Sequence, residues 1–535
     1  MAGTVISNNV VSITTQSPRQ GTVGALINPT ATEYPKSITI IKNSIGLVVS
    51  NKSGDDLYIE SSEDFAPKLQ ALISSLSPNR LSIQKIFLVG DFTAKNTVII
   101  PNIGKIEIQL AGTITISNDW NPSNQDMSGS SFKGVFQIGT RGGYVEDVYI
   151  WGGRIIGTAF KSPTGSVTDL ANIYTDTNPI FNTLNGLSPN GSNGNKPKIA
   201  YIFGEAVMVR CEFHHFNTVN VGTPCTFEGM AKILNTPSMF VNIHDIIQEK
   251  CWVGCQFYGN GYEYQNCNIY NIYTFKCYDD CVAMCGGSGG ITGITYGFAT
   301  FHNCSIWNIK GQKDGRVGAG VKVDGGVTFV DGVEYQDGFM RHVNIYDVNL
   351  HTTGVNEHLV AIFNGLNLGS RNITYHDING SGTWQSTAFC QSSFVDIDFS
   401  KVQCESQFGF IIQCGALPDS RQNLKISGAK LRTRNNAREG RGIVFCSGAN
   451  GAGQGIQNVQ IEGLQAFNVA MPISEGSPPA GYGFPAVVKN IKYDIDIRYQ
   501  IPLAPIGIGD CVLNSTNRKL QYSYEGVDAG NMNTY

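Results

Sequence analysis

The segment Tyr264-Gln265-Asn266-Cys267-Asn268-Ile269-Tyr270 recurs in degenerate form along most of this chain of 535 residues. Phe301-His302-Asn303-Cys304-Ser305-Ile306 repeats it, and so does Arg341-His342-Val343-Asn344-Ile345. Arg371-Asn372-Ile373, Val395-Asp396-Ile397, Gln422-Asn423-Leu424, Gln457-Asn458-Val459 and Lys489-Asn490-Ile491 carry it onward. Each copy places a polar residue before an apolar one, then a polar one and usually a second apolar one. That is the pattern of a short strand with one buried face. Copies recur at intervals of roughly 24 to 39 residues, the range in which each repeat is one turn of a solenoid. The uneven period means that loops of different length leave the turns, and solenoids carry binding surfaces on such loops. The pattern predicts an all-β chain wound as a right-handed, single-stranded parallel β-helix.

Composition points the same way. The chain has 62 glycines, 27 phenylalanines and 22 tyrosines, and only 15% of its residues are charged. β-Branched and aromatic residues alternate with Asn, Gly, Ser and Thr, and long amphipathic stretches are few. Such a length ordinarily implies several domains, but a solenoid grows along one axis. The formal charge of -4 comes from 38 basic and 42 acidic side chains. There is no basic run, so a phosphate-neutralising surface and a nucleic-acid partner are not expected. No stretch approaches the roughly 20 apolar residues of a bilayer span, so no membrane insertion is expected. Met1-Ala2-Gly3-Thr4-Val5-Ile6-Ser7-Asn8 lacks the basic start and apolar run of a secretory signal, which fits synthesis in a host cytoplasm without export.

All 14 cysteines follow residue 210. Cys251 and Cys255, then Cys277, Cys281 and Cys285, sit four apart. In an extended strand that is roughly 13 Å, too far for a disulfide. Cysteines at like positions in neighbouring turns stand about 4.8 Å apart instead, stacked in the core. Paired CxxC knuckles of a zinc site are absent. Buried, reduced, stacking thiols made in a reducing compartment are the favoured reading, ahead of disulfides.

Three parts are expected along the chain. Residues 1–60 are polar and β-rich, with strands at Val10-Val11-Ser12-Ile13, Ile38-Thr39-Ile40-Ile41 and Leu47-Val48-Val49. They read as an attachment or capping module, or alternatively as an irregular first turn. Residues 61–511 form the solenoid, opening with a capping helix over about 62–77. There Phe65, Leu69, Leu72, Ile73 and Leu76 share a helical face behind Ser62-Glu63-Asp64, and Pro78 follows. The helix covers the open end of the strand stack, which is otherwise a template for aggregation. A Gly/Ser/Asn/Thr/Pro-rich stretch at about 160–197 is a long loop insertion, and Ser477-Pro478-Pro479-Ala480-Gly481-Tyr482-Gly483 is a second loop. Residues 512–535 read as a C-terminal tail. The order of helix, Ile86-Phe87-Leu88-Val89-Gly90-Asp91-Phe92, Thr97-Val98-Ile99-Ile100-Pro101 and Ile106-Glu107-Ile108-Gln109-Leu110 resembles the opening of the pectate-lyase-like superfamily. Leu88-Val89-Gly90-Asp91 stands where that superfamily has an Ile/Val-Pro-x-Gly strand, here without the proline.

Cys277-Tyr278-Asp279-Asp280-Cys281-Val282-Ala283-Met284 resembles the Asp-Asp-Cys-(Val/Ile)-Ala signature of the polygalacturonase glycoside hydrolases, which are themselves parallel β-helices. The resemblance implies inverting hydrolysis, which needs two carboxyl groups roughly 6.5 to 9.5 Å apart. It makes Asp280 the general acid and Asp279 a group that binds or activates water. Of the family's upstream Asn-Thr-Asp triplet only Asn260 remains, and the nearest acid is Glu263. Gly286-Gly287-Ser288-Gly289-Gly290 carries no histidine where the family has Gly-His-Gly. Ala319-Gly320-Val321-Lys322-Val323 is similar to the family's Arg-Ile-Lys segment, with Lys322 the candidate for a substrate carboxylate.

Counting from the strand anchors, Asp279 and Asp280 fall 12 and 13 residues after Cys267, Asp314 falls 10 after Cys304, and Glu357 falls 14 after Val343. Stacked turns place these acids along one groove. Asp279, Asp280 and Asp314 are thus the catalytic candidates, and Glu263, Lys322, Glu357 and Trp307 the substrate-binding ones. The competing reading of Asp279-Asp280 is a turn whose carboxylates cap backbone N–H groups. Trp307, Tyr335 and Trp384 are aromatic candidates for sugar stacking or for packing. No metal and no cofactor are expected: His214-His215 beside Cys211 reads as a surface turn, since no second ligand pair lies at metal spacing. Asp324-Gly325, Asp331-Gly332 and Asp337-Gly338 read as turns, since calcium-loop spacing is absent.

In organisation the chain looks like β-helical viral tailspikes. That resemblance implies a homotrimeric virion protein that attaches to other tail or virion proteins through residues 1–60. It implies binding of host surface polysaccharide, with depolymerisation left open. A free polygalacturonase-like hydrolase and a purely structural virion protein are the alternatives.

Overall fold

The computed structural model describes residues 64–76, 81–117, 133–140, 142–157, 199–227, 236–259, 262–286, 299–313, 318–324, 340–353, 358–363, 370–391, 394–414, 422–433, 441–447, 455–467, 471–474 and 487–496. It also describes the strand backbone of shorter pieces within 3–59, 289–296, 328–335 and 511–534. The chain divides into two compact units, residues 1–315 with 326–337, and residues 316–325 with 338–535.

Both units are built as the repeats require. In the first, Gln84–Ala94 lies parallel to Gly104–Ile116, which pairs with Tyr144–Trp151. Val207–His214, Ser238–Glu249, Asn268–Cys277 and Ser305–Lys313 follow in parallel register. A second face stacks Val98–Ile100, Lys133–Ile138, Ile199–Gly204, Thr223–Phe227, Cys255–Gly259 and Val282–Gly286 in the same order. In the second unit Met340–Thr352, Ser370–Gln391, Phe394–Cys414, Gln422–Ser427, Gly455–Phe467 and Val487–Asp496 form the corresponding parallel ladder. The fold is a right-handed parallel β-helix, the hand that crossover connections between parallel strands adopt.

The recurring polar residue has a backbone role that its alternation pattern conceals. Asn266, Asn303, His342, Asn372, Asp396, Asn423 and Asn458 all have left-handed φ, between 53° and 64°. Five positions later a second left-handed column runs through Asn271, Asn308, Asp347, Asp377, Lys401, Gly428 and Gly463, with φ between 50° and 60°. Asn, Asp and Gly are the residues that enter this region most readily. Each strand is therefore bent twice, and the two bends frame a short flat facet. Side chains bridge the corners of successive coils: Asn423 Nδ2 donates to Asp396 Oδ1 (2.5 Å), and Asn308 Nδ2 to Asn271 Oδ1 (2.7 Å).

Within each facet alternate residues point inward. Cys267, Ile269, Cys304 and Ile306 are fully buried, as are Val343, Ile345, Ile373, Tyr375 and Leu424. Each aliphatic side chain so removed from water contributes about 1.5–3 kcal/mol. The twelve cysteines whose side chains are described are all buried and free. Cys267 Sγ donates to Ser238 O (3.6 Å) and Cys304 Sγ to Tyr264 O (3.6 Å), each across one coil. Burial pushes the Cys211 thiol up to about 12, which keeps it protonated and unreactive at neutral pH. The separation of roughly 13 Å expected for cysteines four apart in a strand does not hold at 277 and 281. Cys251, Cys277 and Cys281 form a single cluster, because residues 278–281 make a turn.

The helix runs Phe65–Ser75, with Phe65, Ala66, Leu69, Leu72 and Ile73 buried. The Asp64 carboxylate caps it by accepting from Ala66 N (3.1 Å), and also accepts from Lys95 N (2.9 Å) and Asn96 Nδ2 (2.8 Å). Gln70 closes the strand edge beneath: its Oε1 accepts from Ile99 N (2.6 Å) and its Nε2 donates to Ile99 O (3.2 Å). A single side chain thus does for Val98–Ile100 what a further strand does elsewhere. Ile38–Asn43 pairs in parallel with Gln84–Ala94, and Gly46–Ser50 and Asp56–Ile59 extend that sheet antiparallel, so hydrogen bonds cross residue 60. Gly3–Ser7 and Val10–Thr14 form an antiparallel pair. Near the C-terminus Cys511–Asn514, Lys519–Tyr522 and Asn533–Thr534 form a small antiparallel sheet. The 160–197 and 477–483 loops lie outside the described residues. Among the described residues no helix is long and apolar enough to cross a membrane.

Candidate functional site

Asp279 and Asp280 lie in the turn between Asn268–Cys277 and Val282–Gly286. The coil below ties that turn down: Tyr278 N donates to Cys251 O (3.0 Å), Asp279 N to Trp252 O (2.7 Å), and Gly254 N to Asp280 O (2.8 Å). The Trp252 and Tyr278 rings stack at 4.5 Å. From the next coil the fully buried Lys313 sends its ammonium to Tyr278 O (2.7 Å) and to Asp279 O. A buried cation is costly without oxygen partners, and these carbonyls supply them. The turn is thus a backbone receptor for Lys313. Asp280 is buried at 6% exposure, whereas Asp279 is half-buried and the more open of the two.

The other predicted residues are dispersed. Glu263 Oε1 accepts from Gln265 Nε2 (2.8 Å) and stands 3.7 Å from His302 Nε2 on the adjacent coil. Lys322 belongs to the second unit, in Ala319–Asp324, with Nζ 4.0 Å from Asp324 Oδ2. Asp314 and Glu357 lie outside the described residues, so the proposed column of acids has two described members, Asp279 and Asp280. Trp384 is fully buried and serves packing. The side chain of Tyr335 is outside the described set.

Trp307 leads to a feature that the sequence reading missed. Its ring stacks on Tyr270 at 4.2 Å and 3°. Tyr270 stacks on His244 (4.5 Å, 3°), His244 on His214 (4.7 Å, 3°), and His214 on Trp151 (5.7 Å, 8°). Five coils thus carry a continuous ladder on the outer side of the facet. Register explains it, since Trp151 pairs with His214, His214 with His244, His244 with Tyr270, and Tyr270 with Trp307. Trp151 Nε1 donates to Glu107 Oε1 (3.2 Å), extending the ladder by a polar rung. Tyr149, Glu212, Asn242, Asn268 and Ser305 form a parallel outward row, in which Asn268 Nδ2 donates to Asn242 Oδ1 (3.0 Å). Because Tyr270 covers one face of Trp307, that face is not available to a sugar. Exposed rings flank the facet instead: Tyr144 (40%), Phe240 (51%) and Tyr273 (52%), with Ile247 beside Tyr273 in register.

His215 stands apart from the stack. Its ring is edge-on to His214 (81°) and His244 (83°), and His214 Nδ1 lies 2.6 Å from His215 Nδ1. The Asp245 carboxylate accepts from His244 Nδ1 (2.7 Å), approaches His215 Nε2 (3.7 Å) and accepts from Asn271 Nδ2 (2.9 Å). Burial, reinforced by His244 and His215, holds His214 down at about 3, so it is a neutral imidazole at pH 7. Burial opposes ionisation of Asp245, but the hydrogen bonds from His244 and Asn271 outweigh it and keep the carboxyl below its ordinary value. His244 lies one whole coil beyond His214, so ligand spacing along the sequence does not reveal it. The usable signal was position: Trp151, His214, His244, Tyr270 and Trp307 each fall four residues after a left-handed corner.

No family model matches the chain, and no curated protein matches it. Several solved structures are similar. The mannuronan C-5 epimerase A-module of Azotobacter vinelandii shares 9% identity over 83% of this chain and 97% of that one, with a TM-score of 0.45. A family 28 exopolygalacturonase of Yersinia enterocolitica shares 11% identity over 84% and 83%, with a TM-score of 0.44. The Streptococcus pneumoniae surface protein and adhesin PfbA shares 10% over 82% and 95%, with a TM-score of 0.40.

Proposed function

We propose that this chain is a tailspike- or fibre-type virion protein that binds host surface polysaccharide along the outer facet of its first unit. The observation that carries this reading is the facet itself. Two rows of hydrogen-bonding side chains, from Tyr149 to Ser305 and from Trp151 to Trp307, repeat at the inter-strand spacing. Exposed Tyr144, Phe240 and Tyr273 stand on its flanks. A linear glycan meets the same kinds of group coil after coil, with hydroxyls to the rows and sugar faces to the exposed rings. Residues 1–60 serve as attachment to other tail or virion proteins, and the assembly is a homotrimer.

The test is incubation of the purified chain with host-surface polysaccharides and polygalacturonate, reading both retention and oligosaccharide release. Binding that drops at least tenfold in Tyr273→Ala and Phe240→Ala supports the facet. Release of discrete oligomers makes the chain a depolymerase. Asp279→Asn, Asp280→Asn and Asp314→Asn then decide whether the paired-aspartate turn carries the cleavage, the half-buried Asp279 being the carboxylate a substrate reaches more easily. Neither binding nor release overturns the reading in favour of a structural virion protein. A monomeric mass by light scattering overturns the trimer.

A further inference from the structure

We propose that His214, His215 and His244 form a binding site for a late first-row divalent ion of the zinc type, spanning two adjacent coils of the first unit. One ligand nitrogen from each residue lies within 4.8 Å of the other two. Aromatic stacking accounts for His214 and His244, which are parallel rungs between Trp151 and Tyr270. It does not account for His215, whose ring stands edge-on to both, with Nδ1 2.6 Å from His214 Nδ1 and Nε2 3.7 Å from Asp245 Oδ2. The backbone fixes this arrangement: His214 and His244 are register partners, and His215 occupies a left-handed corner at φ 57°.

The surroundings match those of a metal-binding histidine set. Such ligands usually donate their second ring N–H to a carboxylate, which fixes the tautomer and raises basicity at the ligating nitrogen. Here Asp245 accepts from His244 Nδ1 at 2.7 Å and lies 3.7 Å from His215 Nε2, and Asn271 holds the carboxylate from behind at 2.9 Å. Three imidazoles without a thiolate suit zinc, copper or nickel, and leave at least one position open for water or a ligand oxygen. Cys211, close in sequence, faces the core and is fully buried, so it is not a donor. Bound at about 2.0–2.1 Å in a tetrahedral site, the nitrogens stand roughly 3.3 Å apart. On loading, a pair at 4.8 Å closes by about 1.5 Å and the His214 Nδ1–His215 Nδ1 pair, now at 2.6 Å, opens by about 0.7 Å, displacements that imidazole torsions supply while the strands stay in place.

The test uses the full chain, stripped with a chelator and titrated with ZnCl2 by calorimetry, with the d–d absorption of bound Co2+ as a second readout. The expected result is one equivalent per chain at micromolar affinity or tighter, and a tetrahedral-type Co2+ spectrum. His244→Asn and His215→Ala each lower affinity at least tenfold. Asp245→Asn lowers it about 10- to 100-fold, as loss of an outer carboxylate does. His302→Asn, at another histidine of the same unit, leaves binding unchanged. Absence of saturable one-equivalent binding, or binding unaltered in both His244→Asn and His215→Ala, overturns the site. Should His244→Asn fail to give native circular dichroism, His215→Ala at the half-buried corner supplies the same readout. No glycan enters the experiment, so its outcome is separate from that of the polysaccharide reading.

Discussion

The facet between the two left-handed corners appears in both units, built on the same inner plan and finished differently outside. In the first unit the position four residues after the corner reads Trp151, His214, His244, Tyr270 and Trp307, a continuous stacked ladder. In the second unit the corresponding row begins with a stacked pair, Tyr346 and His376 at 4.8 Å, and continues as Ser400, Ser427 and Glu462. Its neighbouring positions are charged: Lys401 Nζ lies 3.6 Å from Asp377 Oδ1, and Lys425 Nζ 3.5 Å from Glu462 Oε2. Inner rows hardly differ, with Ile269 and Ile306 in one unit and Ile345 and Ile426 in the other, all fully buried. Coil physics dictates what points inward and what turns a corner. It leaves the outward row unconstrained.

The largest expected effects test the shared inner plan. Ile269→Ala in the first unit and Ile373→Ala in the second, both at 0% exposure, should each destabilise by about 2–5 kcal/mol. Each effect is read from the unfolding transition in denaturant. A large loss in one unit and a negligible loss in the other would break the equivalence of the two cores.

A smaller effect separates corner from facet. At Gly428 (φ +60°) an added Cβ meets nothing nearer than 3.8 Å, so space is not the constraint. Gly428→Ala should nonetheless cost about 1–2 kcal/mol, the penalty for an L residue in the left-handed region. Gly428→Asn, which installs the residue the first unit uses at Asn271 and Asn308, should recover most of that loss. Equal stability of the Ala and Asn variants by thermal unfolding would show that the corner tolerates any side chain.

This distinction also explains what the sequence disclosed. The inward residues of the repeat, such as Cys267, Ile269 and Ile306, announce themselves by alternation, and with them the parallel coil. The capping helix is equally plain, because Phe65, Leu69, Leu72 and Ile73 share a face behind an Asp64 cap. The corners were visible as recurrent Asn and Asp but read as ordinary strand positions, since a single left-handed residue leaves the alternation intact. The outward ladder stayed hidden for a different reason. Its members are separated by whole coils of unequal length, and no local spacing relates His214 to His244 or Tyr270 to Trp307. The Asp279-Asp280 stretch drew notice as a motif, whereas its clearest structural duty, receiving the buried Lys313 on backbone carbonyls, depends on a residue one coil away.

The smallest expected effect lies on the charged facet of the second unit. The carboxyl of Asp377, an exposed corner residue, is held below its ordinary value, chiefly because His376 Nδ1 donates to its Oδ2 at 2.9 Å and secondarily because of Lys401. A carboxyl whose folded pKa is depressed contributes stability above its unfolded pKa, near 3.9, and loses that contribution as pH falls through the folded value. Because the group is exposed, solvent and salt screen the effect, and Lys401→Met should change stability by less than about 0.5 kcal/mol. The pKa itself is the sharper readout. Carboxyl chemical shifts followed against pH should place Asp377 below the other exposed aspartates, and His376→Asn should move it upward by more than Lys401→Met does. The reverse order would mean that charge across the coil, rather than the hydrogen bond within it, governs the second facet. The two units would then differ in the physics of their outer rows as well as in their composition.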